Sequence, residues 1–148
     1  MKTVNDILAA KPKEVWSISP KAKVFDALKL MSEKQIGALM VLTAGGDVAG
    51  IITERDYARK IILLGKTSKE TNVEEIMTPV EKMFYVQPSN TVEECMVLMT
   101  GKHIRHLPVC EKGKFFGMIS IGDVVKSIIS EKDILIEQLS DYIAGKYM

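Results

Sequence analysis

The chain has 148 residues, of which 47% are hydrophobic and 26% are charged, a balance typical of globular proteins rather than disordered or fibrous ones. Its 20 Lys and Arg residues against 19 Asp and Glu residues give a net charge of +1, so no overall field attracts nucleic acid or an anionic membrane. This length allows one compact domain or two halves of about 65 to 70 residues, each marginal alone. The sequence has neither a membrane-length apolar run nor the apolar core of a signal peptide. We therefore expect a cytoplasmic protein that does not interact with a membrane.

An internal repeat organises the sequence. Residues 50–56 (GIITERD) recur as residues 117–123 (GMISIGD), and in each copy a short apolar run typical of a strand precedes Thr or Ser, with Asp three positions later. This spacing predicts a capping box at a helix start. A helix start also has unpaired N–H groups that can receive phosphate, and a carboxylate there can accept hydrogen bonds from ribose. The residues concerned are Thr53 and Asp56 in the first copy, and Ser120 and Asp123 in the second.

The repeat continues on both sides of this stretch and predicts the same elements in each half. A lead-in precedes a short strand, and an apolar stripe at i, i+3, i+4 and i+7 then predicts a helix packed on a core. Two strands joined by a turn and a closing helix follow. The matched segments are lead-ins 4–8 and 73–77, first strands 18–20 and 86–88, helices starting at Val24 and Val92, second strands 36–41 and 104–109, third strands 50–52 and 117–119, and closing helices 56–64 and 123–129.

These elements predict an α/β (α+β) fold of two β-α-β-β-α repeats, at residues 1–68 and 69–129. Each repeat would form a small sheet, and we expect the two sheets to pack face to face about a pseudo-twofold axis, with clefts between the repeats. The tail at residues 130–148 predicts a C-terminal helix with a broad apolar face. Surplus apolar surface at a chain end suits docking within the chain or a dimer contact, and the sequence leaves both open.

Together, in order and twice over, these motifs resemble a tandem cystathionine-β-synthase (CBS) domain pair, or Bateman module. The resemblance covers nearly all of residues 1–129 and is to pairs without a further domain. It implies a homodimer that binds adenine nucleotides in the clefts between the repeats as a sensor of energy state. The motifs that carry it are Ile76–Pro79, Arg105–Val109 and the two strand-to-helix endings at residues 50–56 and 117–123.

The resemblance also assigns roles to single positions. The hydroxyls of Thr53 and Ser120 correspond to contacts with phosphate or ribose, and the carboxylates of Asp56 and Asp123 to contacts with ribose hydroxyls. Basic positions that face the phosphates and segments beside the adenine complete the predicted site. They are Arg105 and His106 for the phosphates, and Ile18, Ser19, Val86 and Gln87 for the adenine.

The two clefts are predicted to differ, because the first repeat has Gly37 and Ala38 where the second has Arg105 and His106. We therefore predict that a phosphate-bearing ligand favours the cleft of Ser120 and Asp123, grouped with these two basic residues. A guanidinium matches phosphate oxygens with two hydrogen bonds. The cleft of Thr53 and Asp56 would depend on Arg55 for its charge.

Other candidate residues receive structural interpretations. Trp16 is interpreted as a core anchor rather than a stacking platform for adenine. Cys95 and Cys110 are predicted to be buried free thiols. His103 and His106, three apart on a predicted strand, would face opposite sides, so we predict no metal site and no metal requirement. The sequence contains no nucleophile with a matched base and no Walker-type loop, so we predict no enzymatic activity.

The sequence therefore predicts a regulatory module that binds AMP, ADP or ATP. Two alternatives remain open: an NAD(H)-binding pair, whose adenosine half would use the same residues, and a scaffold that binds proteins with empty clefts. Nucleic-acid binding is disfavoured by the neutral charge. The downstream protein partner is not identified by the sequence.

Overall fold

The computed structural model describes residues 2–12, 15–129 and 139–145. The elements follow the predicted order in both halves. The helices are α1 (Val4–Ala9), α2 (Val24–Lys34), α3 (Glu54–Tyr57, continued by a π-helical segment over Ala58–Ile62), α4 (Val92–Lys102) and α5 (Ile121–Ile129). The strands are β1 (Ser17–Ile18), β2 (Ala38–Leu42), β3 (Val48–Thr53), β4 (Thr78–Pro79), β5 (His106–Glu111) and β6 (Lys114–Ser120). Short 3-10 turns lie at Val73–Glu75 and Val80–Lys82.

Helices α2 and α4 occupy equivalent positions and bury the predicted faces. Helix α2 buries Val24, Ala27 and Met31, and α4 buries the three residues that match them in the second half. The spacing i, i+3 and i+7 places these side chains on one side of a helix of 3.6 residues per turn. The apolar stripes therefore form the cores of the two repeats.

Both helices end in the same way. Gln35 and His103 adopt left-handed backbone conformations, each with a φ of 55°. The following N–H group turns back to a carbonyl of the last helical turn, at 3.0 Å from Ile36 N to Met31 O, which is the bond of a Schellman motif. Strands β2 and β5 begin after this motif and hence later than predicted. The prediction that His103 lies on a strand is wrong, because it ends helix α4.

The two sheets share one pattern. In the first, the strand order is β1-β2-β3-β4, with β1 parallel to β2 and the other neighbours antiparallel. In the second, β5 and β6 are antiparallel, and a parallel bridge pairs Val86 with Val109. Ile18 and Val41 make the matching parallel pair in the first sheet, so the repeat in the sequence is also a repeat in strand pairing.

The lead-in of each half packs on the core of the other half. Val4 of α1 lies in the buried cluster built around α4, whereas Val73 and Ile76 lie in the cluster built around α2. Neither half contains its whole core, so each small repeat depends on the other for stability. The division between residues 68 and 69 stays a prediction.

The two sheets pack face to face, which confirms the predicted arrangement. A buried cluster joins Ala38, Met40 and Ile51 of the first sheet to Cys110 of the second. Cys95 and Cys110 are both buried and free, as predicted. Burial, with a smaller contribution from the Glu94 carboxylate, raises the pKa of the Cys95 thiol to about 11, so it is protonated at neutral pH.

Part of the predicted C-terminal helix lies outside the described residues. Residues 139–143 are helical and include Leu139, Tyr142 and Ile143 of the predicted apolar face. The rest of that face, at residues 134–136, falls in the undescribed segment 130–138. Among the helices that the structure describes, none has the length and apolar character needed to cross a membrane.

Candidate functional site: two cavities between the repeats

The first strand-to-helix junction is closed by the predicted capping box. The Asp56 N–H donates to Thr53 Oγ1 at 3.2 Å, and the Thr53 N–H donates to Asp56 Oδ2 at 2.9 Å. The other carboxylate oxygen, Oδ1, is 3.3 Å from Lys60 Nζ, one helical turn further along. A carboxylate has about four acceptor sites, so Asp56 retains capacity to accept further hydrogen bonds.

The second junction has the same box, but its lysine partner comes from the segment after α1 rather than from its own helix. The Ser120 N–H donates to Asp123 Oδ2 at 2.9 Å, and the Asp123 N–H donates to Ser120 Oγ at 3.2 Å. Lys11 Nζ also lies 2.8 Å from Asp123 Oδ2. Burial alone would raise the pKa of Asp123, but hydrogen bonds from Lys11 and Ser120 outweigh it and lower this pKa below its usual value. Asp123 is thus held ionised in an ion pair.

Each junction lies against the strand that begins in the other repeat. One cavity, of about 860 Å³, contains Thr53 and Asp56 of the first repeat together with Arg105 and His106 of the second. The other, of about 640 Å³, contains Ser120 and Asp123 together with Gly37 and Ala38 of the first repeat. We call them the first cavity and the second cavity. Both are built from the two repeats, as predicted for clefts of this fold.

This arrangement corrects the predicted grouping of the basic residues. Arg105 lies in the first cavity, with Thr53 and Asp56, and is absent from the described lining of the second. The reason is geometric. Strand β5, which follows Arg105, begins beside the strand-to-helix junction of the first repeat. The sequence instead suggested the junction of the second repeat, because Arg105 belongs to that repeat in the chain. The prediction that Ser120 and Asp123 share their cleft with Arg105 is therefore wrong.

Cationic side chains from both repeats converge on the first cavity. None of them forms an ion pair with a carboxylate in the described part of the chain. Arg55, which the sequence predicted as the source of charge, donates to the carbonyl of His103 at 2.7 Å and so joins the two repeats. Two carboxylates, Glu54 and Asp56, also line the cavity. The cations are Arg55, Arg59, Lys82, Lys102 and Arg105.

The second cavity has more apolar residues and fewer charged ones in its described lining. Trp16 forms part of this wall and also packs on the core of the first repeat, so it is both a core residue and a cavity residue. Lys34 Nζ lies 4.1 Å from the centroid of its ring. Further apolar residues complete the wall: Leu8, Pro12, Val15, Ile36, Phe116 and Met118.

His106 lines both cavities. It is the first residue of β5, where the strand begins, and this position allows both Arg105 and His106 to reach the first cavity. Burial lowers the pKa of His106, although the nearby Glu54 and Asp123 carboxylates oppose this effect. A Cβ atom on Gly37 would lie 2.8 Å from Glu54 Oε1 and 3.1 Å from His106 Cε1. The wall between the cavities is therefore tightly packed.

The sequence profile of the CBS domain family matches residues 4–63 and again residues 73–130. The chain is a tandem CBS-domain protein. This family assignment agrees with the two repeats, their reciprocal cores and their face-to-face sheets. It places the chain among the CBS-pair regulatory modules.

Individual relatives match this CBS pair over most of its length. The CBS domain-containing protein CBSX3, mitochondrial, of Arabidopsis thaliana is 41% identical over 152 residues, which span 98% of this chain and 73% of that protein. A solved CBS-domain protein of Burkholderia ambifaria MC40-6 is 54% identical, with a TM-score of 0.81, and the match covers 86% of this chain and 94% of that one. The solved structure of CBSX2 in complex with AMP is 26% identical, with a TM-score of 0.72 and coverage of 87% and 97%.

The residues predicted to lie beside the adenine are outside the described lining of both cavities. Ile18 packs on the core of the first repeat, Ser19 accepts a bond from the Lys21 N–H, Val86 is buried in the core of the second repeat, and the Gln87 N–H donates to Asn90. The residues that do line the cavities come a few positions earlier: Val15 and Trp16, and Lys82, Met83 and Phe84. In this CBS pair, the lining thus comes from the segment that leads into each first strand.

Several lining residues were not predicted. Arg59 follows one turn after Arg55 on the same helical segment, and its cationic repeat at i+4 was a signal that could have found it. Lys82 and Lys102 come from the connecting segment and from the last turn of α4, and only the folded chain brings them to the Thr53 junction. Lys11 has no counterpart in the second half of this CBS pair, so the repeat gave no indication of its role.

Proposed function

We propose that this CBS pair is a regulatory module that binds an adenine nucleotide, AMP, ADP or ATP, in the first cavity. The observation that carries the proposal is the convergence of five cationic side chains from both repeats on a junction that ends in Thr53 and Asp56. Phosphate is a multiply charged anion, and arginine is the side chain best matched to its oxygens. The sequence had favoured the cleft of Ser120 for a phosphate-bearing ligand, and the proposal now assigns that ligand to the first cavity.

The lining provides a partner for each part of a nucleotide. Arg55 and Arg105 would take the phosphates, and Asp56 would accept hydrogen bonds from the ribose. The ring of Phe84 lies at the wall, with Lys102 Nζ 5.2 Å from its centroid, and would offer an aromatic face to the base. The structure of CBSX2 with AMP supports this ligand class, because that protein resembles this chain over most of its length.

The regulatory effect would arise because one ligand touches both repeats. Arg55 belongs to the first repeat and Arg105 to the second, so a phosphate bound between them stabilises one relative position of the repeats. A ligand shifts such an equilibrium only by its differential affinity for the two states. No catalytic step is needed for this function.

Calorimetric titration with AMP, ADP, ATP, NAD and NADH, with GMP as the base control, tests the proposal. We expect saturable binding of at least one adenine mononucleotide, weaker binding of GMP, and an affinity that falls as salt rises. A ligand at about 100 times its dissociation constant should stabilise the fold by about 2.7 kcal/mol, or about 5 to 10 °C in melting temperature. Tighter binding of NAD or NADH would favour the dinucleotide alternative. Absence of binding by the whole panel would contradict the proposal and favour the protein-binding scaffold.

We also propose that the module forms a homodimer. The closing helices of the two repeats end in exposed apolar residues, with Leu63 75% exposed and Ile129 54% exposed. Because these ends occupy equivalent positions in the repeats, a second copy would present a matching pair of patches. Light scattering should give twice the 16.5 kDa chain mass, and Leu63→Glu should shift the population toward monomer. A wild-type monomer at micromolar concentration would contradict this proposal.

A further inference from the structure

The second cavity contains a lysine in its lining, bound to the carboxylate that a ribose would contact. We propose that Lys11 closes the second cavity to nucleosides by placing its ammonium group against Asp123 inside the cavity, so that the wild-type chain binds one nucleoside moiety, in the first cavity. This inference rests on the proposed function of the first cavity. It makes Lys11 the residue that sets how many ligands the CBS pair holds.

The contacts of Lys11 hold its ammonium group at this position. Nζ is 2.8 Å from Asp123 Oδ2 and donates to the Met118 carbonyl at 2.9 Å. Both partners lie at the strand-to-helix junction of the second repeat, so the lysine spans the place where a ribose would approach Asp123. Hydrogen bonds to charged groups are stronger than those between neutral groups, so a ribose would have to displace a favourable pair.

The backbone of Lys11 is also held in place. Its N–H donates to the Leu8 carbonyl at 3.2 Å, directly after helix α1. That helix is anchored by Val4 and Ile7, which are 0% and 6% exposed in the core of the second repeat. The ammonium therefore projects from a fixed segment, and the ion pair costs less side-chain entropy than one between two mobile surface groups.

The first cavity lacks the equivalent obstruction in its described lining. Asp56 also has a lysine partner, but Lys60 comes from the next turn of the same helix and is not among the residues that line the cavity. Lys60 Nζ also donates to the Ile76 carbonyl at 2.9 Å, and neither residue belongs to the described lining. Asp56 is thus paired with a lysine outside the lining, whereas Asp123 is paired with a lysine that is part of it.

The remaining wall of the second cavity suits an uncharged nucleoside once the lysine is removed. Trp16 and Phe116 provide aromatic surface, and Ser120 provides a hydroxyl beside Asp123. A cavity of about 640 Å³ falls within the range of small-molecule sites. Adenosine is therefore the appropriate probe, because its binding does not depend on a phosphate contact.

Equilibrium dialysis with radiolabelled adenosine counts the sites directly. We compare the wild-type protein with Lys11→Met, which keeps an apolar stem of similar length, and with Lys29→Met as the matched control at an exposed position of α2. We expect one bound adenosine per wild-type or Lys29→Met chain and two per Lys11→Met chain. The gained site should bind at least about tenfold more tightly than any second site in the wild type, and Asp123→Asn in the Lys11→Met background should remove it.

Each outcome decides the inference. Two sites in the wild type would overturn it and leave the proposed function intact, as would one site in both the wild type and Lys11→Met. No site in the wild type with one in Lys11→Met would support the role of Lys11 but contradict nucleoside binding in the first cavity. No binding of adenosine by either protein would overturn the inference, whereas the proposed function is decided separately by the titration with phosphate-bearing nucleotides. Melting curves verify that Lys11→Met is folded, and Lys11→Ala provides the same test if it is not.

Discussion

The two cavities are built from equivalent residues of two equivalent repeats, yet they differ in charge. At the first, five cations face the Thr53 junction and none is paired with a carboxylate in the described part of the chain. At the second, Lys11 is bound to Asp123 itself. The shared capping boxes show that the strand-to-helix junction is a feature of the fold. The difference in charge comes from positions at which the repeats differ: Arg55 matches Gly122, Arg105 matches Gly37, and Lys11 has no counterpart.

The segments that pack against the two copies of the repeated motif also differ. Gly50 and Gly117 begin the two copies of the repeated motif. A Cβ atom on Gly50 would collide with the carbonyl oxygen of Thr78 in β4. A Cβ atom on Gly117 would meet only the end of the Leu8 side chain, at 3.0 Å, but the backbone there has a φ of 155° that favours glycine. A strand covers one junction and a helix covers the other, so matching positions have different tolerances.

The largest expected effect comes from Gly50→Ala. Because the new methyl group would collide with backbone that cannot rotate away, we expect a loss of about 3 kcal/mol in the free energy of unfolding. Gly117→Ala is the matched variant. The Leu8 side chain can move, but a φ of 155° at Gly117 disfavours a side chain, so we expect a smaller loss of about 2 kcal/mol. Urea denaturation measures both. Equal losses would show that the two junctions are equally constrained.

Arg105→Gln should weaken AMP binding by about tenfold, because it removes one charged phosphate contact from the first cavity. The loss should diminish at high salt, since the wild-type contact is screened. Lys29→Gln, which removes an exposed charge of α2, is the control and should leave the affinity unchanged. Calorimetry measures the three proteins. Unchanged binding by Arg105→Gln would place the phosphate elsewhere.

Thr53→Ala and Ser120→Ala should each cost about 1 kcal/mol of stability through the loss of a cap. The two variants should differ in binding, with AMP affinity reduced only by Thr53→Ala. Thermal denaturation with and without AMP gives both quantities. A loss of AMP affinity in Ser120→Ala alone would reverse the assignment of the cavities.

The smallest expected effect concerns pH and the wall between the cavities. Because burial holds the pKa of His106 below the ordinary value of 6.5, the unfolded chain binds this proton at a higher pH than the folded chain. The stability associated with neutral His106 is present above about pH 6.5 and falls as the pH drops toward the lower folded pKa. The melting temperature of the wild type should therefore fall more steeply from about pH 7 to about pH 5 than that of His106→Gln. Parallel curves would contradict burial of the neutral imidazole.

Local signals in the sequence predicted much of the fold. The stripes of α2 and α4, the capping boxes at Thr53 and Ser120, and the order of the strands follow from residues close together in the chain, and all appear in the structure. The starts of β2 and β5 were less accurate: both strands begin two residues later than predicted, after the left-handed caps Gln35 and His103.

The residues that line each cavity could not be predicted from such local signals. Which repeat faces Arg105 depends on how the two sheets pack, and periodicity carries no information about that docking. The ion pair between Lys11 and Asp123 joins residues far apart in sequence, and its lysine has no repeated partner to mark it. The sequence therefore predicted that the two clefts differ, but the residues that each cavity contains emerged only from the folded chain.

The most direct test of the proposed site is calorimetric titration of AMP into Asp56→Asn and Asp123→Asn. Both carboxylates close a capping box, so the two variants carry comparable structural changes and differ mainly in the cavity they affect. We predict that Asp56→Asn weakens AMP binding by at least about tenfold and that Asp123→Asn changes it by less than about twofold. Loss of AMP binding in Asp123→Asn with retention in Asp56→Asn would contradict the assignment of the nucleotide to the first cavity.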